Sequence, residues 1–270
     1  LNLPNPASAT YVIDNVGSVG SNATFDLNFK PVGVEGTSDA INVEVSGNSQ
    51  ATLTNSDGSE GTASADIKDT IESVSIKSSG EANTLNAQLG TGLTSVTVTG
   101  DESLTLTDGE DGFSGVTSVN ASALSVGAGN QGLDMTFGSN ELAGVDVTGS
   151  DGNDVLTGAV TADIALGTVS GVETIELEFT DSNNVAVDAA KVTGPATYVY
   201  SSNASGNADT TSLINLASGS TVEFGDDGGN DGLDDIVTLK LADYSGDGDS
   251  LNVALTDDSY DASSFALKTE

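Results

Sequence analysis

Apolar and polar residues alternate in short runs along most of the chain. Thr10-Tyr11-Val12-Ile13, the stretch from Ala23 to Phe29, and Asp39-Ala40-Ile41-Asn42-Val43-Glu44-Val45 all carry a period of two. That period places one face of a β-strand against a core. Pro31 and Gly33 break the second run, and Gly47-Asn48 follows the third. Thr197-Tyr198-Val199-Tyr200 and Thr221-Val222-Glu223-Phe224 read as further strands, with a loop predicted at Asn203 to Asn207. Asp235-Ile236-Val237-Thr238-Leu239-Lys240-Leu241 is a twin of the Asp39 run, because an Asp opens both. The twin predicts a shared building unit at the two ends of the chain. Helical signals are confined to Ala121–Leu124 and Asp188–Val192, each long enough for one turn only.

The middle of the chain repeats. Five six-residue segments share the order apolar, polar or small, small, apolar, polar, apolar. They begin at Ile71, Leu93, Val116, Leu142 and Val172, so their starts lie 22, 23, 26 and 30 residues apart. A period in this range with one strand signature per repeat predicts an all-β chain folded as a parallel β-solenoid, in which each coil buries its apolar face on its neighbours. At a strand spacing of about 4.8 Å, five coils would stack to roughly 24 Å. Irregular strands are expected at both ends. The predicted organisation is a β-strand module over 1–60, solenoid coils over 61–195, and a C-terminal β-region over 196–270. The alternative is a β-sandwich with evenly spaced strands, since the spacing drifts and no asparagine ladder is visible.

Charge narrows the function. Among 270 residues the formal net charge is −35, and all six cations are lysines. Such a surface repels nucleic-acid phosphates and anionic membranes. No apolar run is long enough to insert into a membrane. With no histidine and no cysteine, the histidine-based nucleophile systems, imidazole zinc sites, thiolate sites and disulfides are all excluded. Leu1 in place of Met predicts a piece of a longer chain. Self-repulsion of this size calls for screening by cations. One reading is divalent cations held in acidic turns; the other is a salt-adapted surface. The concentration of Asp beside Gly in turns favours the first.

Two stretches carry that chemistry. Gly149-Ser150-Asp151-Gly152-Asn153-Asp154-Val155-Leu156-Thr157 follows the nonapeptide G-G-x-G-x-D-x-U-x, with Ser150 at the second glycine. The next nine residues keep Gly158 and Asp163 but place Thr161 and Ala165 at two key positions. Asp151, Asn153, Asp154 and Asp163 are candidate Ca²⁺ ligands, because carboxylates and turn oxygens suit a hard cation. The competing reading is a plain Gly-Asn-Asp turn. The second stretch, from Gly225 to Asp235, offers Asp226, Asp227, Asn230, Asp231 and Asp234. Its order does not fit an EF-hand loop, and a solvated acidic loop is the alternative. Asp108 to Asp111 and Asp247 to Asp249 are weaker versions. N-x-S/T sequons stand at Asn22, Asn120 and Asn203.

The nonapeptide resembles the RTX repeats of calcium-dependent secreted bacterial proteins. Together with Leu93–Thr107, Val116–Ser125 and Asp234–Leu241, it resembles the RTX-bearing surface-layer (S-layer) proteins and large adhesins of Gram-negative bacteria. The resemblance implies type I export, an extracellular location on the bacterial cell surface, calcium as the bound ion, and assembly of the chain with copies of itself. No secretion signal is recognised before Glu270, which again predicts an internal piece. The first functional expectation is a structural, non-catalytic surface protein. The second is an adhesin or spacer, with cell-surface polysaccharide as a partner and Tyr198 and Tyr200 as a candidate sugar-holding patch. The third, less favoured, is a polysaccharide-acting β-helix enzyme with paired carboxylates. Against it stand the lack of Arg, His and Trp.

Overall fold

The computed structural model describes residues 9–18, 21–26, 38–54, 71–109, 113–180, 184–202, 210–224, 236–243, 245, 248–255 and 268–269. The strands are β1 (Thr10–Asp14), β2 (Ala23–Asp26), β3 (Ala40–Ser46), β4 (Gln50–Thr54), β5 (Ser73–Ser79), β6 (Asn83–Gln88), β7 (Ser95–Gly100) and β8 (Leu104–Asp108). They continue as β9 (Ser118–Leu124), β10 (Gln131–Phe137), β11 (Asp146–Thr148), β12 (Asn153–Val160), β13 (Ile164–Ala165), β14 (Val169–Ser170) and β15 (Thr174–Phe179). The last are β16 (Val185–Asp188), β17 (Thr197–Ser202), β18 (Thr210–Leu216), β19 (Thr221–Phe224), β20 (Ile236–Leu241), β21 (Asn252–Leu255) and β22 (Lys268–Thr269). No helix occurs among the described residues. The two predicted helical turns are instead the end of β9 and the turn after β16. Ala121 and Leu124 are buried there, and a strand uses them for that.

The chain divides into two units. One comprises Leu1–Gly138 with Val147–Asp154, the other Ser139–Asp146 with Val155–Glu270. In the first unit the chain alternates between two sheets. One runs β1-β3-β5-β7-β9 and the other β2-β4-β6-β8-β10. Each strand pairs in parallel with the next-but-one strand along the chain. The second unit repeats the plan, with β15-β17-β19-β21 in one sheet and β13-β16-β18-β20-β22 in the other. Every described pairing of strands is parallel, and the antiparallel contacts are isolated bridges such as Ser18 to Ser21. A sandwich of antiparallel hairpins does not give that pattern.

The aligned segments set the register of the first unit. Ser73, Ser95 and Ser118 stand side by side, as do Val74, Val96 and Val119. Beyond Thr97 the register slips at a bulge in β9. There the Asn120 side-chain oxygen accepts from both the backbone N–H and the hydroxyl of Ser122. The fifth segment departs from the prediction. Its strand, β15, pairs with β12 and β17 in the second unit and does not extend the β5-β7-β9 ladder. The repeating unit therefore holds two strands, and the periodicity had revealed one.

Alternate side chains form the core. Ala51, Leu85, Leu106 and Met135 make one buried column across β4, β6, β8 and β10. Val187, Leu213 and Leu239 make another in the second unit. Each fully buried Leu, Ile or Val contributes about 1.5–3 kcal/mol relative to exposure. Close turns need glycine. Gly100 ends β7 with φ +125, and a Cβ there would collide with the Ser78 carbonyl.

Candidate functional site

The nonapeptide turn lies in the first unit, against the preceding turn at 125–133. Asp154 is 1% exposed. Its Oδ1 accepts from the Leu133 N–H at 2.6 Å and from the Ser150 hydroxyl at 2.8 Å. Its Oδ2 accepts from the Ser150 N–H at 2.6 Å. Ser150, the departure from the repeat, has a role of its own. Its hydroxyl donates to Asp154 and accepts from the Gly152 N–H. A Cβ on Gly132 would fall on Ser150 Oγ and Asp154 Oδ1. A Cβ on Gly152 would strike the Val126 side chain and crowd the Asn130 carbonyl. The turn closes because both positions are glycine.

The neighbouring candidates are engaged in the same way. Asp151 takes the Gly127 N–H at 3.0 Å and the Ser125 hydroxyl at 2.9 Å. Asn153 donates its backbone N–H to the Asn130 carbonyl at 2.7 Å and its side-chain amide to Gly129. Asp151, Asn153 and Asp154 are thus brought together, each bonded to the previous turn. Asp163 belongs to the second unit, where it accepts from the Ala186 N–H at 2.8 Å. Asp226, Asp227, Asn230, Asp231 and Asp234 lie outside the described residues. Among the described residues no three acidic side chains converge as metal ligands do.

The same device recurs at other corners. Asn83 is buried, and its Oδ1 accepts from the Ser49 N–H at 2.8 Å. Its amide group donates to the Val45 and Glu81 carbonyls and to Ser78 Oγ. In the second unit Ser220 accepts from the Ala196 N–H, Asn184 from Thr210, and Asp146 from Thr168. In each case a side-chain oxygen at or beside a strand satisfies a backbone N–H of a neighbouring turn or strand. Sequence reading missed Asn83 and Ser220. Neither carries a sequence signal, because Asn83 sits beside Glu81, Thr84 and Asn86, and Ser220 sits between Ser218 and Thr221.

No protein-family model, curated protein or solved structure matches the chain.

The sugar-holding patch predicted at Tyr198 and Tyr200 is corrected. Both rings are fully buried in the second unit. Both side chains point inward on β17, and Tyr200 stacks on Phe179 and packs tilted against Phe224, so neither can present a face to a saccharide.

The acidic clamps bear on pH. Hydrogen bonds from the Gly127 N–H and then from Ser125 hold the Asp151 carboxyl below its ordinary 3.8. The Thr168 backbone and hydroxyl do the same for Asp146. A depressed folded pKa contributes stability that is present above the unfolded value and lost as pH falls through the folded one. The loss therefore begins as pH drops below about 4. Net repulsion acts in the opposite sense, fading as carboxylates protonate. The difference between chains isolates the clamps. An Asp146→Asn/Asp151→Asn chain should show a shallower fall in melting temperature below pH 4 than the parent. Superimposable acid limbs would rule the clamps out as the cause.

Proposed function

We propose that the chain is a structural, non-catalytic protein of a bacterial cell surface, a calcium-stabilised β-solenoid that assembles with copies of itself as an S-layer does. The observation that carries the reading is the regular alternation of strands between parallel sheets, with polar corner side chains committed to clamping one turn to the next. Such side chains are spent on building a scaffold, which supports a structural role. Two-strand coils are a β-solenoid geometry, in which stacking supplies the core. Calcium has to enter where carboxylates are not already spent on N–H donors. The run from Asp226 to Asp234 is the chemically suited stretch, and a net charge of −35 supplies the drive.

Extracellular modules bind calcium with dissociation constants of order 10⁻⁴–10⁻³ M. A hundredfold excess over that constant stabilises the folded state by about 2.7 kcal/mol per site. In a domain of this size that raises the melting temperature by roughly 5–10 °C. The measurement is thermal unfolding with light scattering, in EDTA and through a calcium titration to about a hundredfold above the tighter of those constants, with magnesium at equal ionic strength. A calcium-specific rise with growing scattering is the expected result. A rise without scattering would convert the reading to an adhesin or spacer. An equal response to magnesium would remove the calcium sites.

A further inference from the structure

The second unit carries a shallow groove of about 380 Å³, lined by Asp163, Asn184, Val185, Ala186, Thr210 and Ser212. We propose that this groove binds a neutral saccharide, and that it is the point where the chain meets a surface polysaccharide. The source of the sugar rests on the cell-surface reading above; the chemistry of the groove does not.

The groove crosses the outer face of β13, β16 and β18. Asp163 precedes β13 and Asn184 precedes β16. Ala186 pairs with Ser212 in the ladder of β16 and β18. The small methyl of Ala186 leaves a dip between Asp163 on one side and Ser212 on the other. Two strand spacings separate these flanks, about 9–10 Å, which is room for a sugar ring. The two longest polar side chains are held in place beforehand. Asp163 Oδ1 is fixed by the Ala186 N–H at 2.8 Å, and Asn184 Oδ1 by the Thr210 N–H at 3.0 Å. Fixing side chains before binding lowers the entropy cost of recognition.

What remains for a ligand is one carboxylate oxygen, one amide NH₂, the hydroxyls of Thr210 and Ser212, and the methyl of Ala186, while the Val185 side chain turns into the core. Donors and acceptors are interleaved, which suits vicinal hydroxyls, each of which both donates and accepts. A divalent cation wants six or more oxygens and no donors. Here a single carboxylate stands beside an amide whose oxygen is already engaged, so its remaining polar atom repels a cation. Uronates and phosphorylated sugars are disfavoured by Asp163 and by the net charge of −35.

The test is retardation of the whole chain in native gels cast with neutral glucan, mannan or galactan, with alginate as the anionic comparison. Retardation by at least one neutral polymer and none by alginate is expected. Ala186→Leu fills the dip from the outer face without touching the core, and should abolish retardation while leaving the melting temperature unchanged. Asp163→Asn should weaken it at least tenfold while keeping the bond to Ala186. Failure of all three neutral polymers, or full retardation of Ala186→Leu, overturns the proposal. So does calcium binding that Asp163→Asn removes in the absence of sugar, which would make the groove a cation site. The outcomes separate from those of the assembly experiment. Calcium-driven scattering without sugar retention sinks this inference alone, and sugar retention without calcium-driven scattering sinks the S-layer reading alone.

Discussion

Asp154→Ala should lower the free energy of unfolding by about 3 kcal/mol, and should do so in EDTA as fully as in calcium. The carboxylate is buried and receives three hydrogen bonds, from Leu133 N–H, Ser150 N–H and Ser150 Oγ. Hydrogen bonds to a charged acceptor are the stronger kind, and a buried donor left alone costs about 1–3 kcal/mol. Asp154→Asn is the informative companion. Its amide oxygen can keep the Leu133 bond, but its NH₂ would face the Ser150 N–H, donor against donor. Roughly half the loss is expected from it. Urea unfolding reads both, and hydrogen exchange at the Leu133 amide reads the local bond. The two roles for Asp154 part at this point. A clamp loses its stability with or without the ion, whereas a ligand loses it only when calcium is present. An Asp154→Ala chain that matches the parent in EDTA and falls behind only in calcium would restore Asp154 as a ligand.

That comparison also shows why the nonapeptide was legible in one respect and ambiguous in another. Gly152 and Asp154 mark a tight turn with an inward acid, and the structure builds one. Whether the acid takes N–H groups or an ion depends on what the previous turn presents, and Gly129-Asn130-Gln131-Gly132-Leu133-Asp134 repeats the Gly-x-x-Gly-x-Asp spacing only in part, with Thr136 where Leu156 stands in the nonapeptide. Parallel register was readable wherever two strands of one sheet shared the segment form, so Ser73, Ser95 and Ser118 aligned residue for residue. It failed at Val172, because strands of both sheets obey the same apolar alternation and the spacing alone does not say to which a strand belongs. The partner strands β4, β6, β8 and β10 were overlooked for a related reason. Apart from Asn83, Gly132 and Phe137, their inward residues are Leu, Ala and Met, with Thr, Asn, Gln and Asp outward, so they look like connecting sequence between Val-rich runs. The corner residue Asn83 takes an inward position on β6 but looks in sequence like the outward Thr84, Asn86 and Gln88. Only the geometry reveals that it satisfies Ser49 N–H and three acceptors at once.

Tyr198 and Tyr200 stand two residues apart on β17, both fully buried, and their hydroxyls are expected to act with opposite sign. The Tyr200 hydroxyl accepts from Thr211 Oγ1 at 3.1 Å, and Thr211 is itself buried. The Tyr198 hydroxyl is buried with no hydrogen-bond partner among the described residues, and burial pushes its pKa up. Tyr200→Phe should therefore cost about 1 kcal/mol, and Tyr198→Phe should raise stability by about 1 kcal/mol by removing an unpaired polar atom from the core. The ring matters more than the hydroxyl. Tyr200 packs 4.7 Å from Phe179 and 5.4 Å from Phe224, centroid to centroid. Tyr200→Ala removes both contacts and leaves a cavity at the centre of the aromatic column, a loss of about 4 kcal/mol. Equilibrium urea unfolding of the three variants reads all of these. Equal losses from the two Tyr→Phe changes would mean that Tyr198 has a hidden partner, such as an ordered water. A Tyr200→Ala chain within about 1 kcal/mol of the parent would mean that the column collapses to fill the gap, the signature of a loosely packed core.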